Sequence, residues 1–69
     1  MAAPGSTAAR VYGRLLSLNP LYPHVDLAQR ETVLGRNPRC DVVFDSLLVS
    51  KRHCKLLCSD AGVFVRDLR

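Results

Sequence analysis

Three stretches of this chain carry side chains suited to binding or catalysis: Gly35-Arg36, the run Ser50-Lys51-Arg52-His53, and Asp67. Arginine offers a planar fork of N–H donors, lysine a compact positive charge, and serine a hydroxyl that both donates and accepts. Side chains of these types are equipped to hold an oxyanion. Arg36, Arg39, Lys51, Arg52 and Lys55 all fall within one 20-residue stretch, in a chain with ten basic and six acidic residues and a formal net charge of +4. Such a balance favours anionic partners: phosphorylated peptides, nucleic acid or an acidic membrane surface. A plain solvated basic surface has the same composition, so charge alone does not choose among them.

Other chemistries use the same residue types and fit the spacing less well. Ser50, His53 and Asp67 could be the types of a hydrolase triad, but Ser50 and His53 lie too close together on an extended segment for the usual dyad, and no oxyanion-hole motif accompanies them. The three cysteines, an odd number, lack C-x-x-C spacing. Cys54 and Cys58 on one strand would stand about 13 Å apart, too far for a bridge. All three read as small buried hydrophobes in a reducing compartment. A zinc site from Cys40, His53, Cys54 and Cys58 has no supporting pattern, so neither a metal nor a cofactor is expected. No run approaches the ~18 apolar residues of a membrane span, and no membrane partner is expected. Nucleic acid ranks behind a phosphopeptide, because the aromatics that could stack on bases are only Tyr12, Tyr22, Phe44 and Phe64, with both phenylalanines read as core.

The elements that must position these groups read as short strands. Met1 to Arg10, rich in Ala, Gly, Ser and Pro, has no apolar core of a secretory signal and reads as a disordered leader over residues 1–10. Val11–Leu18 reads as a first strand weakened by Gly13, and Asn19-Pro20 and Tyr22-Pro23 punctuate a loop. His24–Ala28 and Glu31–Leu34 follow, the latter ended by Gly35. Asn37-Pro38 makes a turn, since proline fixes its own φ and steers its predecessor away from helix. Asp41–Phe44 is a fourth strand. His53–Cys58 alternates Cys54, Leu56 and Cys58 on one face with His53, Lys55 and Leu57 on the other. Ser59-Asp60-Ala61-Gly62 is a hairpin turn leading to Val63–Leu68. No window makes a convincing amphipathic helix. The fold class is therefore all-β, a partial β-sandwich of about six short strands, with the C-terminal strands that would finish its layers missing.

The run Leu34-Gly35-Arg36-Asn37-Pro38-Arg39-Cys40-Asp41, followed by Val49-Ser50-Lys51-Arg52-His53-Cys54, resembles the core signature of the forkhead-associated domain. That family uses a strand-ending Gly-Arg and a Ser-x-x-His, with an Asn-Gly pair downstream. Here the first two elements stand at the family's usual separation. The Gly-Arg-Asn-Pro-x-Cys-Asp stretch is similar to domains of DNA-damage checkpoint kinases. The resemblance runs from about Tyr12 to Arg69, so residues 11–69 are taken as the N-terminal part of such a domain. The Asn that would grip the peptide backbone is expected after Arg69.

What the resemblance implies is a binding module without catalysis, recognising a phosphothreonine-containing protein or peptide in phosphorylation-dependent signalling, with the nucleus as its place and the cytoplasm as the alternative. Phosphothreonine carries about −1.5 to −2 charges and three acceptor oxygens. Arg36 would supply the fork, Ser50 a short O–H···O contact, and Lys51 the point charge, with Arg52 the other candidate. Gly35, His53 and Asp67 would be structural, the His53 ring holding the neighbouring loops. Two alternatives stand beside this reading: a truncated fragment of such a domain without stable fold or binding, and a small basic nucleic-acid-binding protein.

Overall fold

The structure, a computed structural model, describes residues 10–69. Most of the expected leader therefore lies outside the described residues. Among the described residues six strands form, all short: β1 (Gly13–Leu15), β2 (Val25–Leu27), β3 (Glu31–Gly35), β4 (Val42–Val43), β5 (Cys54–Ser59) and β6 (Gly62–Asp67). There is no helix among the described residues. The chain is all-β, as its alternation of short β-forming runs and turn residues requires.

The strands make two sheets. β1 and β2 pair antiparallel, with Arg14 opposite Asp26 and an ion pair of 2.6 Å between them. The second sheet has the order β4-β3-β5-β6. Its centre is the antiparallel pair β3–β5, with Thr32 opposite Leu56 and Leu34 opposite Cys54. β5 and β6 form a hairpin in which Ser59 faces Gly62. The positive φ that this turn demands falls on Gly62, at 136°, and no other described residue is forced into that region.

The core lies where the two sheets face each other. Leu27 from β2 meets Leu56 and Cys58 from β5, and Tyr12, Leu15 and Leu34 pack around them. Thr32, opposite Leu56, is buried on the same face. Lys55 points to the other face and reaches Glu31 at 3.0 Å. Burying a leucine stabilises by roughly 1.5–3 kcal/mol, so three buried apolar side chains make a small core for a chain of this length. Beside it, an open cavity of about 630 Å³ separates β1 from β4, lined in part by Leu15, Leu34, Val42 and the edge-to-face pair Tyr22–Phe44.

Four expectations need correction. The first strand spans Gly13–Leu15 only, because the Ser17 N–H donates to His24 Nδ1 at 2.8 Å and bends the chain off the ladder, leaving Leu16 and Leu18 exposed. Phe64 is not core: it is 56% exposed. It lies opposite Leu57 in the register, on the face turned away from Leu56 and Cys58, and β6 is also the edge of its sheet, which leaves Val65 exposed as well. Of the cysteines only Cys58 is buried, while Cys40 and Cys54 are half-buried. Finally, His53 does not open the strand expected over His53–Cys58: Ser50–His53 is an irregular segment and β5 begins at Cys54.

With so few buried side chains, each one matters. Leu56→Ala is expected to cost about 2–5 kcal/mol, enough to abolish a cooperative thermal transition. Phe64→Ala, at an exposed edge position, is expected to leave the transition within a few degrees of wild type. Circular dichroism melts of the two variants check this.

Candidate functional site

The end of β3 and the segment before β5 lie side by side. His53 N–H donates to Leu34 C=O at 2.8 Å, Arg36 N–H to Ser50 C=O at 3.0 Å, and Asn37 N–H to Lys51 C=O at 3.0 Å. Gly35 is buried between them, and the reason for glycine is steric. A Cβ there would stand 2.3 Å from the Lys51 carbonyl oxygen, 2.9 Å from its carbon and 3.0 Å from Arg52 Cα. These are backbone atoms, which cannot swing aside as a flexible side chain would.

A turn then re-aims the chain. Asn37 Oδ1 accepts the Arg39 N–H and Asn37 C=O accepts the Cys40 N–H, both at 2.9 Å. Such an Asn-Pro turn follows from an Asn side chain that bonds its own backbone two residues on. Asp41 closes the loop with two bonds to one residue: its Oδ2 accepts the Val33 N–H at 2.8 Å, and its own N–H donates to Val33 C=O at 2.9 Å. This clamp is what lets β4 lie parallel to β3 after only a short connection. Sequence reasoning treated Asp41 merely as the start of a strand. An acidic residue eight positions after a strand residue carries no local signal that could have shown otherwise.

The side chains placed by this frame are cationic and open. Arg36 is half-buried, and its Nε–H donates to Val49 C=O at 3.1 Å, which fixes the plane of the guanidinium. Ser50 is half-buried, and Lys51 and Arg52 are exposed. Among the described residues none of Arg36, Lys51 or Arg52 forms an ion pair. His53 Nδ1 accepts the Ser50 backbone N–H at 3.3 Å, so the ring holds the backbone of Ser50 and not its hydroxyl. Its own C=O accepts the Leu68 N–H at 3.1 Å, tying the segment to the end of β6. Cys40 adds a further tie, its S–H donating to Lys51 C=O at 3.3 Å.

Lys51 and Arg52 part company. Arg52 lines a cavity of about 300 Å³ together with Val33, Asn37, Arg39 and Cys40, whereas Lys51 does not. Asp67 stands apart from the cations of the loops. It lies opposite Cys54 in the β5–β6 register, and its carboxylate accepts Arg69 Nε–H and Nη2–H at 3.0 Å each. The Arg69 side chain and backbone hydrogen bonds hold its carboxyl down to about 2. Burial, with the Asp67 charge adding to it, pushes the Cys54 thiol up, so that cysteine is less prone to ionise. No group of three or more His, Cys, Asp or Glu side chains among the described residues is arranged to hold a metal ion. The frame thus joins Gly35, Arg36, Ser50, Lys51, Arg52 and His53 in one place, with Asp67 bordering it through His53 and Cys54.

Comparison with known proteins agrees in extent with this frame. A family model described as the FHA domain matches residues 32–69, from the second residue of β3 to the end of the chain. Over 47 residues, 67% of this chain, the sequence is 43% identical to the probable serine/threonine-protein kinase fhkC of Dictyostelium discoideum. It is equally 43% identical, over 47 residues, to the probable serine/threonine-protein kinase fhkD of the same organism. The aligned part is 8% of fhkC and 6% of fhkD, so the chain spans a small fraction of the length of the curated relatives it matches.

Two outcomes follow from the geometry. Gly35→Ala should force the Lys51–Arg52 backbone away from β3 and destabilise the protein by about 1–3 kcal/mol, with the largest amide shift changes at Arg36, Asn37 and His53 in a 15N-resolved spectrum. Because the Asp67 carboxyl is held below its unfolded value of about 3.9, its bonds to Arg69 persist above that value and are lost as pH falls through about 2. NMR titration of the Asp67 carboxyl checks this, and Arg69→Ala is expected to return the midpoint toward the ordinary aspartate range.

Proposed function

The chain belongs to the forkhead-associated family, whose domain is a phosphopeptide-binding module in signalling and not a catalyst, and on that premise we propose that it recognises phosphothreonine through Arg36, Ser50 and Lys51. One observation carries this assignment. A guanidinium oriented by Val49 C=O, a serine whose backbone is held by His53, and a lysine, none of the cations ion-paired, are brought to one edge by the Gly35 contact. A phosphate dianion with three acceptor oxygens is complementary in charge and in hydrogen-bond type to that set. Charge-assisted hydrogen bonds contribute around 1.5–3 kcal/mol each. Three of them supply about 4.5–9 kcal/mol before ordering costs, so a micromolar-class site of about −8 kcal/mol also draws on contacts with the rest of the peptide.

Arg36 leads because it is the cation whose plane is set by the frame. Lys51 complements it as a point charge from the facing segment, while Arg52 is directed to the neighbouring cavity. The choice of phosphothreonine over phosphoserine, and a role in the DNA-damage response within the nucleus, rest on the similarity of Gly35-Arg36-Asn37-Pro38-x-Cys40-Asp41 to domains of DNA-damage checkpoint kinases. Like its relatives, which are kinases by name, this sequence is compatible with a longer protein that carries a catalytic domain elsewhere.

Fluorescence anisotropy with three versions of one peptide tests the assignment. The phosphothreonine form should bind at micromolar concentration, the phosphoserine form more weakly, and the unphosphorylated form not measurably. Arg36→Ala should weaken phosphothreonine binding at least about tenfold. Equal affinity for the phosphorylated and unphosphorylated forms, or no effect of Arg36→Ala, would sink the proposal.

A further inference from the structure

Resting on that phosphothreonine assignment, we propose that the cavity formed by Val33, Asn37, Arg39, Cys40 and Arg52 is a second anion subsite, which takes an acidic side chain of the same phosphopeptide, either a carboxylate or a further phosphate. Its volume is about 300 Å³. That is roughly ten times the share of one water in the liquid, and ample for a carboxylate-bearing side chain. Two of its five lining residues are arginines and none is acidic. Neither Arg39 nor Arg52 forms an ion pair among the described residues, and both are exposed, so their guanidinium groups are open to a ligand. The acidic residue nearest in sequence, Asp41, already accepts the Val33 N–H and faces the other cavity.

The walls are held as firmly as those of the phosphate site, because they share its backbone. Asn37 Oδ1 fixes the Arg39 N–H at 2.9 Å, and Cys40 Sγ reaches the Lys51 carbonyl at 3.3 Å. Two guanidinium groups approaching from a turn and from a facing segment can meet one oxyanion with paired N–H donors. The two sites are also near neighbours. Arg36 precedes Asn37, and Lys51 precedes Arg52, so about 3.8 Å of backbone separates the residues that serve one site from those that serve the other. An extended peptide advancing about 3.3 Å per residue crosses from one site to the other within a few residues. The subsite would add selectivity for acid-flanked phosphothreonine to a phosphate contact that by itself carries no sequence information.

The test uses phosphothreonine peptides in which each flanking position in turn is alanine, aspartate or phosphoserine, with binding read by anisotropy. At one flanking position the acidic forms should bind about three- to tenfold more tightly than the alanine form, the size expected of partly exposed guanidinium–oxyanion pairs. That ratio should fall to about one in Arg39→Gln and in Arg52→Gln, and should be partly retained in Arg39→Lys and Arg52→Lys, which also control for misfolding. Arg36→Ala should weaken alanine and acidic peptides by the same factor, leaving the ratio intact. A ratio unchanged in both glutamine variants, or no acidic preference at any position, overturns the subsite while leaving phosphothreonine binding standing. If every phosphopeptide fails to bind, the phosphothreonine assignment falls. Inorganic phosphate followed by NMR at the Arg39 and Arg52 Nε–H signals then judges the cavity alone: shifts at both keep an anion site there, and their absence at tens of millimolar overturns it.

Discussion

The Lys51 carbonyl lies so close to Gly35 that a Cβ on residue 35 would come within 2.3 Å of its oxygen. The same carbonyl accepts the Asn37 N–H and the Cys40 S–H. One backbone group therefore joins the end of β3, the turn that follows it and the segment that leads into β5. If it is pushed away, the hydrogen bonds that align Arg36 with Ser50 and Asn37 with Lys51 go with it. Close approach of two backbones requires a residue without a side chain, and among the described glycines Gly35 is the one against which another backbone packs this closely.

The frame is built more from backbone hydrogen bonds than from hydrophobic burial. Among the described residues only Leu27, Leu56 and Cys58 are buried hydrophobic side chains. Three backbone bonds between the two facing segments and the Asp41, Asn37 and His53 side-chain caps hold the cationic edge. Each such bond contributes about 0.5–1.5 kcal/mol net, and each also removes freedom from a loop that would otherwise wander. The result suits recognition: donors already aimed need less ordering when a ligand arrives.

Gathering Arg36, Arg39, Lys51 and Arg52 around two facing segments places like charges close together without acidic partners among the described residues. Exposure to water and salt limits the repulsion. What remains makes this edge electrostatically receptive to an anion. Most of the acidic residues are occupied elsewhere. Asp41 caps β3, Glu31 meets Lys55, Asp26 meets Arg14, and Asp67 meets Arg69. This sorting of charge, with carboxylates used to hold strands and cations left open at one edge, gives a chain of net charge +4 a local preference and not merely a diffuse one.

Local properties of the sequence determined the all-β class, the six strands and the turn at Gly62, because side-chain alternation, β-branching and glycine act within a few residues. The pairing of Gly35-Arg36 with Ser50-Lys51-Arg52-His53 was legible as a family signature, though not from geometry. Tertiary structure alone decided which backbone meets Gly35, that Asp41 clamps Val33, and that Arg52 turns to the Arg39 cavity while Lys51 does not. It also decided that Phe64 stays exposed and Ser50 lies outside any strand. Those outcomes depend on contacts between segments eight to twenty residues apart in the chain. A side chain's burial or direction there is set by its neighbours in space, which no short window of sequence contains.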